Sequence, residues 1–402
     1  MTVVHYTNLL IVVTVGLLAP LTLGFFPRVR LPAVVLELVL GIVIGPSALG
    51  WAEPDLPVSV LALIGLAFLL FLSGLEIDVE RLHGRILELT ALGFALSFAI
   101  AITLGLSLKA AGFVKSPLFV AIVLSASSLS VIFPVLKDSD NTSSSFGQLV
   151  LASASMAEFG AIILMSLFFS GKTSTTTAAT LILLGVFGLV VALVGVGIAG
   201  LERSVNLSRV LRRLQDTTAQ IRVRGAFVLL VGFVVLAEKF GLEAILGAFM
   251  AGAVLKLVDR DQAMTHTHFH QKLGEAGFGI FVPFFFVASG LKFDGSALFA
   301  KSSALALVPI FVALLLAARA LPALLYRPLL DARRVAAAGL LQATSLGFIV
   351  VAGQIGMDLG LITKGTGAAF VAAGLVSVLV FPLTALSLLR AETAPQTVAA
   401  SP

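Results

Sequence analysis

About thirteen apolar runs, most of them about 17 to 25 residues long, fill this 402-residue chain, and that is the length a helix needs to cross a hydrocarbon core. No constraint on folding is stronger. A bilayer offers backbone N–H and C=O groups no partner, so only helices or closed barrels can span it. Barrel strands would be shorter and would alternate in polarity. The runs fall at 7–26, 32–46, 58–75, 87–111, 116–136, 146–170, 178–200, 224–240, 242–257, 272–290, 303–326, 335–356 and 364–389. The expected fold is therefore an all-α polytopic membrane protein. Runs two and nine are short, as tilted or partly spanning segments would be. Charged residues are only 12% of the chain against 59% hydrophobic, where a soluble domain would carry about a quarter charged. A transmembrane domain over 1–390 and a short cytoplasmic tail over 391–402 follow.

Orientation comes from the connecting segments. Arg28, Arg30, Arg81, Arg85, Arg203, Arg209, Arg212, Arg213, Arg222, Arg224, Lys256, Arg260, Lys272, Arg327, Arg333 and Arg334 all fall on one face if the N-terminus is outside and the C-terminus inside. Basic loops mark the cytoplasmic face, which gives a multi-pass protein of the inner (cytoplasmic) membrane. The net charge of +5 arises from these loops and is no sign of nucleic-acid binding. The chain has no cysteine, which excludes disulfides and thiol chemistry. The first run has no basic leader or small-residue cleavage site and reads as a retained span.

Three segments repeat in order. Phe71-Leu72-Ser73-Gly74-Leu75-Glu76-Ile77-Asp78 recurs as Val287-Ala288-Ser289-Gly290-Leu291-Lys292-Phe293-Asp294. Leu36-Glu37-Leu38-Val39-Leu40-Gly41 matches Leu242-Glu243-Ala244-Ile245-Leu246-Gly247. Ala126-Ser127-Ser128-Leu129-Ser130-Val131-Ile132 matches Ala343-Thr344-Ser345-Leu346-Gly347-Phe348-Ile349. The copies are separated by an odd number of spans, so they face opposite ways. Inverted repeats are the hallmark of secondary transporters.

The third pair lies in mid-span. Ser125, Ser127, Ser128 and Ser130 crowd one stretch that ends at Pro134, and Gln342, Thr344, Ser345, Gly347 and Gly353 mark its partner. Such clusters suit unwound helices whose carbonyls and ends coordinate a cation, or close helix packing by small residues. Glu158 lies near the centre of its span, with Ser155 one turn before it. A charge there costs at least about 2.5–3.5 kcal/mol. Burial favours the protonated form, so proton and monovalent cation can compete for this one carboxyl. Pairing with a polar neighbour is the bland alternative.

Other polar residues read more plainly. Glu37 and Glu243 are repeat-related and expected to be structural. Arg319, towards the inner end of its span, could snorkel or pair with an acid, and snorkelling is the default expectation. Glu238 and Lys239 read as solvated, Asp138, Asp140 and Asn141 as a turn, and His266, His268 and His270 as an ordinary loop that could sense pH or bind a metal.

Several motifs resemble one family. They are Leu31-Pro32-Ala33-Val34-Val35 through Gly41 to Gly45-Pro46-Ser47-Ala48-Leu49-Gly50, Leu69-Leu70-Phe71-Leu72-Ser73-Gly74-Leu75-Glu76-Ile77, Gly247-Ala248-Phe249-Met250-Ala251-Gly252, and Phe281-Val282-Pro283-Phe284-Phe285-Phe286. The chain is similar to bacterial monovalent cation:proton antiporters of the second large antiporter family, which includes sodium/proton exchangers and glutathione-gated potassium efflux proteins. The resemblance implies a core with two crossed, broken helices (spans five and twelve), an ion-binding helix (span six), a separate dimerisation subdomain, a homodimer and elevator-like movement. Many members carry paired acids, or Asn or Gln followed by Asp, on the ion-binding helix. Here Ala157-Glu158 stands in that place, and a single acid implies electroneutral exchange. Nucleotide or glutathione gating is not expected, since no nucleotide-binding segment follows Arg390.

The expected function is exchange of Na+ or K+ for protons by alternating access. Glu158, Ser155, Ser127, Ser128, Ser130, Gln342, Thr344 and Ser345 are the candidate ion and proton ligands, with no cofactor and no enzymatic activity. A K+ channel-like conduit, a sodium- or proton-coupled carrier of an organic solute, and a non-transporting sensor remain alternatives.

Overall fold

The structure is a computed structural model, and it describes residues 6–25, 32–76, 84–169, 177–202, 220–258, 267–300 and 302–390. Every regular element among them is helical. In chain order they are α1 (Thr7–Phe25), α2 (Ala33–Ile44), α3 (Leu56–Leu75), α4 (Gly84–Ala110), α5 (Pro117–Ser125), α6 (Leu129–Asp138), α7 (Ser145–Phe169) and α8 (Thr177–Glu202). They continue as α9 (Ile221–Lys239), α10 (Ala244–Val258), α11 (Thr267–Ala276), α12 (Val282–Leu291), α13 (Gly295–Phe299), α14 (Ser302–Ala320), α15 (Ala332–Gln342), α16 (Gly347–Asp358) and α17 (Lys364–Arg390). The tail at 391–402 and His266 lie outside the described residues, as does the His268 side chain.

Ten segments among the described residues are long and apolar enough to cross a membrane, fewer than the thirteen runs of the sequence. The reason lies in three helices. α2 and α10 are apolar but short, and α9 carries Arg222, Arg224, Glu238 and Lys239 near its ends. The chain divides into two compact units, Met1–Val79 with Ala161–Ser296, and Glu80–Gly160 with Ala297–Pro402. The boundary passes through α7.

In the first unit α2 packs on α12 and α3 packs on α10. Both crossings are backbone against backbone. A methyl group at Gly290 would strike the Leu38 carbonyl oxygen and come within 2.7 Å of the Ile42 nitrogen; one at Gly74 would strike the Phe249 oxygen and come within 2.9 Å of the Ala253 nitrogen. Gly41 meets the Val287 carbonyl just as Gly252 meets that of Phe71. The two crossings are thus copies of one another, with Leu38 equivalent to Phe249 and Gly41 to Gly252. This corrects the register read from sequence, where Gly41 was matched to Gly247 and Glu37 to Glu243. Gly247 instead lies against Phe233 of α9, and Glu37 corresponds to Ala248. A Gly252→Ala protein is expected to lose about 2 kcal/mol, the usual cost of overpacking, seen as a lower melting temperature in detergent. Gly232→Ala, where nothing lies within 4 Å, should melt as wild type does.

The span Phe269–Leu291 is interrupted by a π-turn at Gly277–Phe281. Pro283 has no N–H to give the preceding turn. The ladder widens there, and the Val282 N–H donates to the Gly277 oxygen.

The second unit holds the two broken helices. α5 stops at Ser125 and α6 starts at Leu129; α15 stops at Gln342 and α16 starts at Gly347. A core of Leu129, Ile132, Leu136, Phe146, Val150 and Tyr326 fills one end of the unit. Phe311 of α14 stacks on Phe370 of α17 with centroids 3.9 Å apart, which fixes α14 against the last helix.

Candidate functional site

The unwound stretches 126–128 and 343–346 meet, and each supplies what the other's helix ends lack. A broken helix exposes free N–H groups at one new end and free C=O groups at the other. The Ser128 N–H donates to the Thr344 carbonyl at 3.0 Å. Ser128 is the N-cap residue of α6, yet its hydroxyl does not cap α6. It accepts instead from the Leu346 and Gly347 N–H groups at 3.0 and 3.2 Å, capping α16. The vacant cap of α6 is taken by Glu158, whose Oε2 accepts from the Leu129 N–H at 3.0 Å.

The carbonyl ends are served from elsewhere. Ser127 Oγ donates to the Gln342 oxygen at 2.6 Å, at the C-terminus of α15. Arg319 donates to Ser127 Oγ through Nε (3.1 Å) and Nη2 (2.9 Å), and Nε lies 3.4 Å from the Gln342 oxygen. Ser377 of α17 brackets the second break: its Oγ accepts from the Ser345 N–H at 3.2 Å, and its one O–H is shared between the Gly374 oxygen at 2.7 Å and the Ser345 oxygen at 3.1 Å.

Charges follow the helix ends. An α-helix is partially positive at its N-terminus and negative at its C-terminus. Glu158 sits on the N-terminus of α6, and Arg319 on the C-terminal carbonyl of α15. Both are buried, Glu158 at 4% exposure and Arg319 at 1%. Snorkelling, expected for Arg319, is therefore wrong: its guanidinium turns into the unit, where the free carbonyl of α15 needs donors. Its backbone is held as well. Pro322 cannot donate to the Ala318 oxygen, and Ser97 Oγ of α4 does so at 2.7 Å.

Of the other sequence candidates, Ser155 is buried three residues before Glu158 on α7, on the same face. Thr344 and Ser345 are fully buried at the crossing. Gln342 Nε2 and Ser345 Oγ are buried without a hydrogen-bond partner. Ser130 is only half-buried, on the first turn of α6. Sequence reasoning gave Arg319 no part in the site and passed over Ser377 and the Tyr326–Ser153 hydrogen bond of 2.9 Å. The usable signal was that an ionisable residue within a span marks a functional site by default. At the rim, Asp331 caps α15, accepting from the N–H groups of Arg334 (3.0 Å) and Arg333 (2.9 Å). The Arg334 amide chiefly holds this exposed carboxyl below the usual carboxylate range.

Glu243 of the first unit has its N–H bonded to Ser166 Oγ at 3.2 Å, at the start of α10. No group of three or more His, Asp or Glu side chains among the described residues could hold a metal ion.

Known proteins share this architecture. The solved structure of the sodium proton antiporter MjNhaP1 from Methanocaldococcus jannaschii superposes with a TM-score of 0.63 at 17% identity, covering 95% of this chain and 98% of the other. At that identity the likeness shows a shared fold. The putative Na(+)/H(+) antiporter YjbQ of Bacillus subtilis is 29% identical over 97% of this chain. The chain spans 64% of YjbQ's length. The Na(+)/H(+)-K(+) antiporter GerN of Bacillus cereus is 27% identical over 67% of this chain and 67% of its own. The family described as sodium/hydrogen exchanger, transmembrane, matches residues 12–391. The chain belongs to that sodium/hydrogen exchanger family of multi-pass membrane proteins.

Proposed function

We propose that the protein exchanges a monovalent cation, Na+ or K+, for a proton by alternating access, with Glu158 as the group that holds either one. The observation that carries this reading is a buried carboxyl set on a helix end where two broken helices cross. The Leu129 N–H and the positive N-terminal end of α6 face the carboxyl at 3.0 Å, so its oxygen is held at the crossing by a donor and a helix end. Ser155, Ser127, Ser128, Ser130, Thr344, Ser345 and Gln342 supply hydroxyl and carbonyl oxygens around it. Pro134 removes the donor that would otherwise serve the Ser130 carbonyl, which suits a cation ligand. A single acid takes one proton or one cation, so each cycle moves no net charge. The names of YjbQ and GerN agree with this reading, and GerN's includes both ions.

The excess of Lys and Arg on one face supports insertion in the inner membrane with the N-terminus outside and the C-terminus inside. The family resemblance supports a homodimer, built on a subdomain distinct from the ion-binding core.

The test is reconstitution in liposomes with an internal pH dye and an imposed proton gradient. Addition of Na+, K+ or Li+ should drive proton movement that a clamped membrane potential leaves unchanged. A current carried by K+ with no proton counterflow would point to a conduit. Proton movement with none of the three ions would remove the cation assignment and favour an organic solute.

A further inference from the structure

Beyond ion exchange, we propose that Glu37 is a second proton-binding site, apart from Glu158, which holds its proton while α2 and α12 are packed together and releases it when their crossing opens. Glu37 lies in the middle of α2 at 3% exposure, and its Oε2 is buried without a hydrogen-bond partner. Burial of an ionised carboxylate without a partner is among the costliest arrangements a protein can hold, and such groups neutralise instead.

Among the described residues the helices around Glu37 offer no counter-charge. The helices packed on α2 are α12 and α1, and neither contains an acidic, basic or histidine residue. Within α2 itself Glu37 is the one titratable residue. Lys292 follows α12 at the end where Gly45 meets Leu291, about 12 Å along the axis from Glu37. Asp55 is engaged at the start of α1, accepting from Asn8 at 3.0 Å.

Position ties the proton to the crossing. Glu37 and Gly41 are four residues apart, so they share a helix face. Gly41 is the residue at which α2 touches the Val287 carbonyl. The pairing of Gly41 with Val287 and of Gly45 with Leu291 runs parallel, which sets Glu37 beside the apolar turn Pro283–Phe286. The equivalent position in the second repeat is Ala248, buried to 1% exposure against the α3 crossing. Since an alanine serves there, an acid is no requirement of this packing. Ionisation of Glu37 puts an uncompensated charge beside the contact, so alkalinisation weakens the hold of α2 on α12.

Labelling with a hydrophobic carbodiimide, which reacts with protonated carboxyls in apolar surroundings, tests this on the whole protein in detergent or liposomes. The Glu37 peptide should be modified at neutral pH. Its labelling should fall about tenfold per pH unit once the group ionises, as a single titrating site requires. Added Na+ or K+ should leave it unchanged while suppressing labelling of Glu158. A proton held in the packed state and lost on unfolding makes stability fall as pH rises; wild type should lose more of its melting temperature on alkalinisation than Glu37→Gln. An unlabelled Glu37 at every pH, or protection of Glu37 by cation, would overturn the proposal. So would a Glu37→Gln protein whose melting profile superimposes on that of wild type. The labelling is read without transport, so failure here is distinct from failure of the exchange reading.

Discussion

A Glu158→Gln protein is expected to fold, to reach the membrane in wild-type amount, and to move no protons in response to a cation gradient. Glutamine keeps the shape, and its amide oxygen can still accept from the Leu129 N–H, so α6 stays capped. What disappears is the charge that binds the cation and the proton that is exchanged for it. A carboxylate–cation contact in a partly dry site is worth several kcal/mol, and each 1.4 kcal/mol is a factor of ten. The expected loss is therefore at least about 100-fold in cation-dependent proton flux, measured with the liposome dye assay. The melting temperature should hold or rise, because a membrane-buried acid is itself a cost. Glu158→Asp keeps the charge on a shorter arm. It should retain reduced exchange with an altered order among Na+, K+ and Li+. Wild-type flux in Glu158→Gln would move the site elsewhere in the crossing and leave the exchange reading standing.

How much of this could be read from sequence depends on what each signal requires. The spans were legible because the bilayer admits few structures, and ten of them meet length and apolarity together. The breaks were legible at Ala126–Ser128 and Ala343–Leu346 because two repeats place hydroxyl and small residues at matching mid-span positions, and the helices do stop there. The repeat itself was legible, but its register in α2 and α10 was not. Leu, Glu and Gly recur so often that Leu36–Gly41 matched Leu242–Gly247 by chance. The backbone contacts of Gly41, Gly74, Gly252 and Gly290 decide the register, and contacts are absent from a string of residues. The exchange of caps, with Ser128 serving α16 and Glu158 serving α6, also needs the crossing in three dimensions. Arg319 was misread for a related reason. One basic residue near the end of a span looks the same whether it reaches water or turns inward, and only the neighbouring α15 carbonyl decides between them.

Arg319 should be the residue whose loss most damages the crossing. Replacement by leucine removes two donors to Ser127 Oγ and the contact with the Gln342 carbonyl, and leaves the C-terminal end of α15 without a positive charge. Hydrogen bonds from a charged donor are worth about 1.5–3 kcal/mol each, and orphaned buried partners add their own penalty. The net cost is on the order of 3 kcal/mol after the apolar side chain recovers part of the burial, visible as a lower melting temperature in detergent. Cation-dependent proton flux should fall with it, because Ser127 and the Gln342 carbonyl no longer have a fixed position across from α6. Arg319→Lys separates charge from geometry. An ammonium restores the positive end charge but lacks the planar fork that places Nε and Nη2 together on Ser127, so stability should recover in part and flux less. If instead lysine restores both in full, charge alone is what α15 requires. If leucine lowers the melting temperature and spares the flux, Arg319 braces the fold and takes no part in positioning the site. Equal losses in stability and flux, graded from arginine through lysine to leucine, would mean that the geometry of one side chain sets the spacing between the two broken helices.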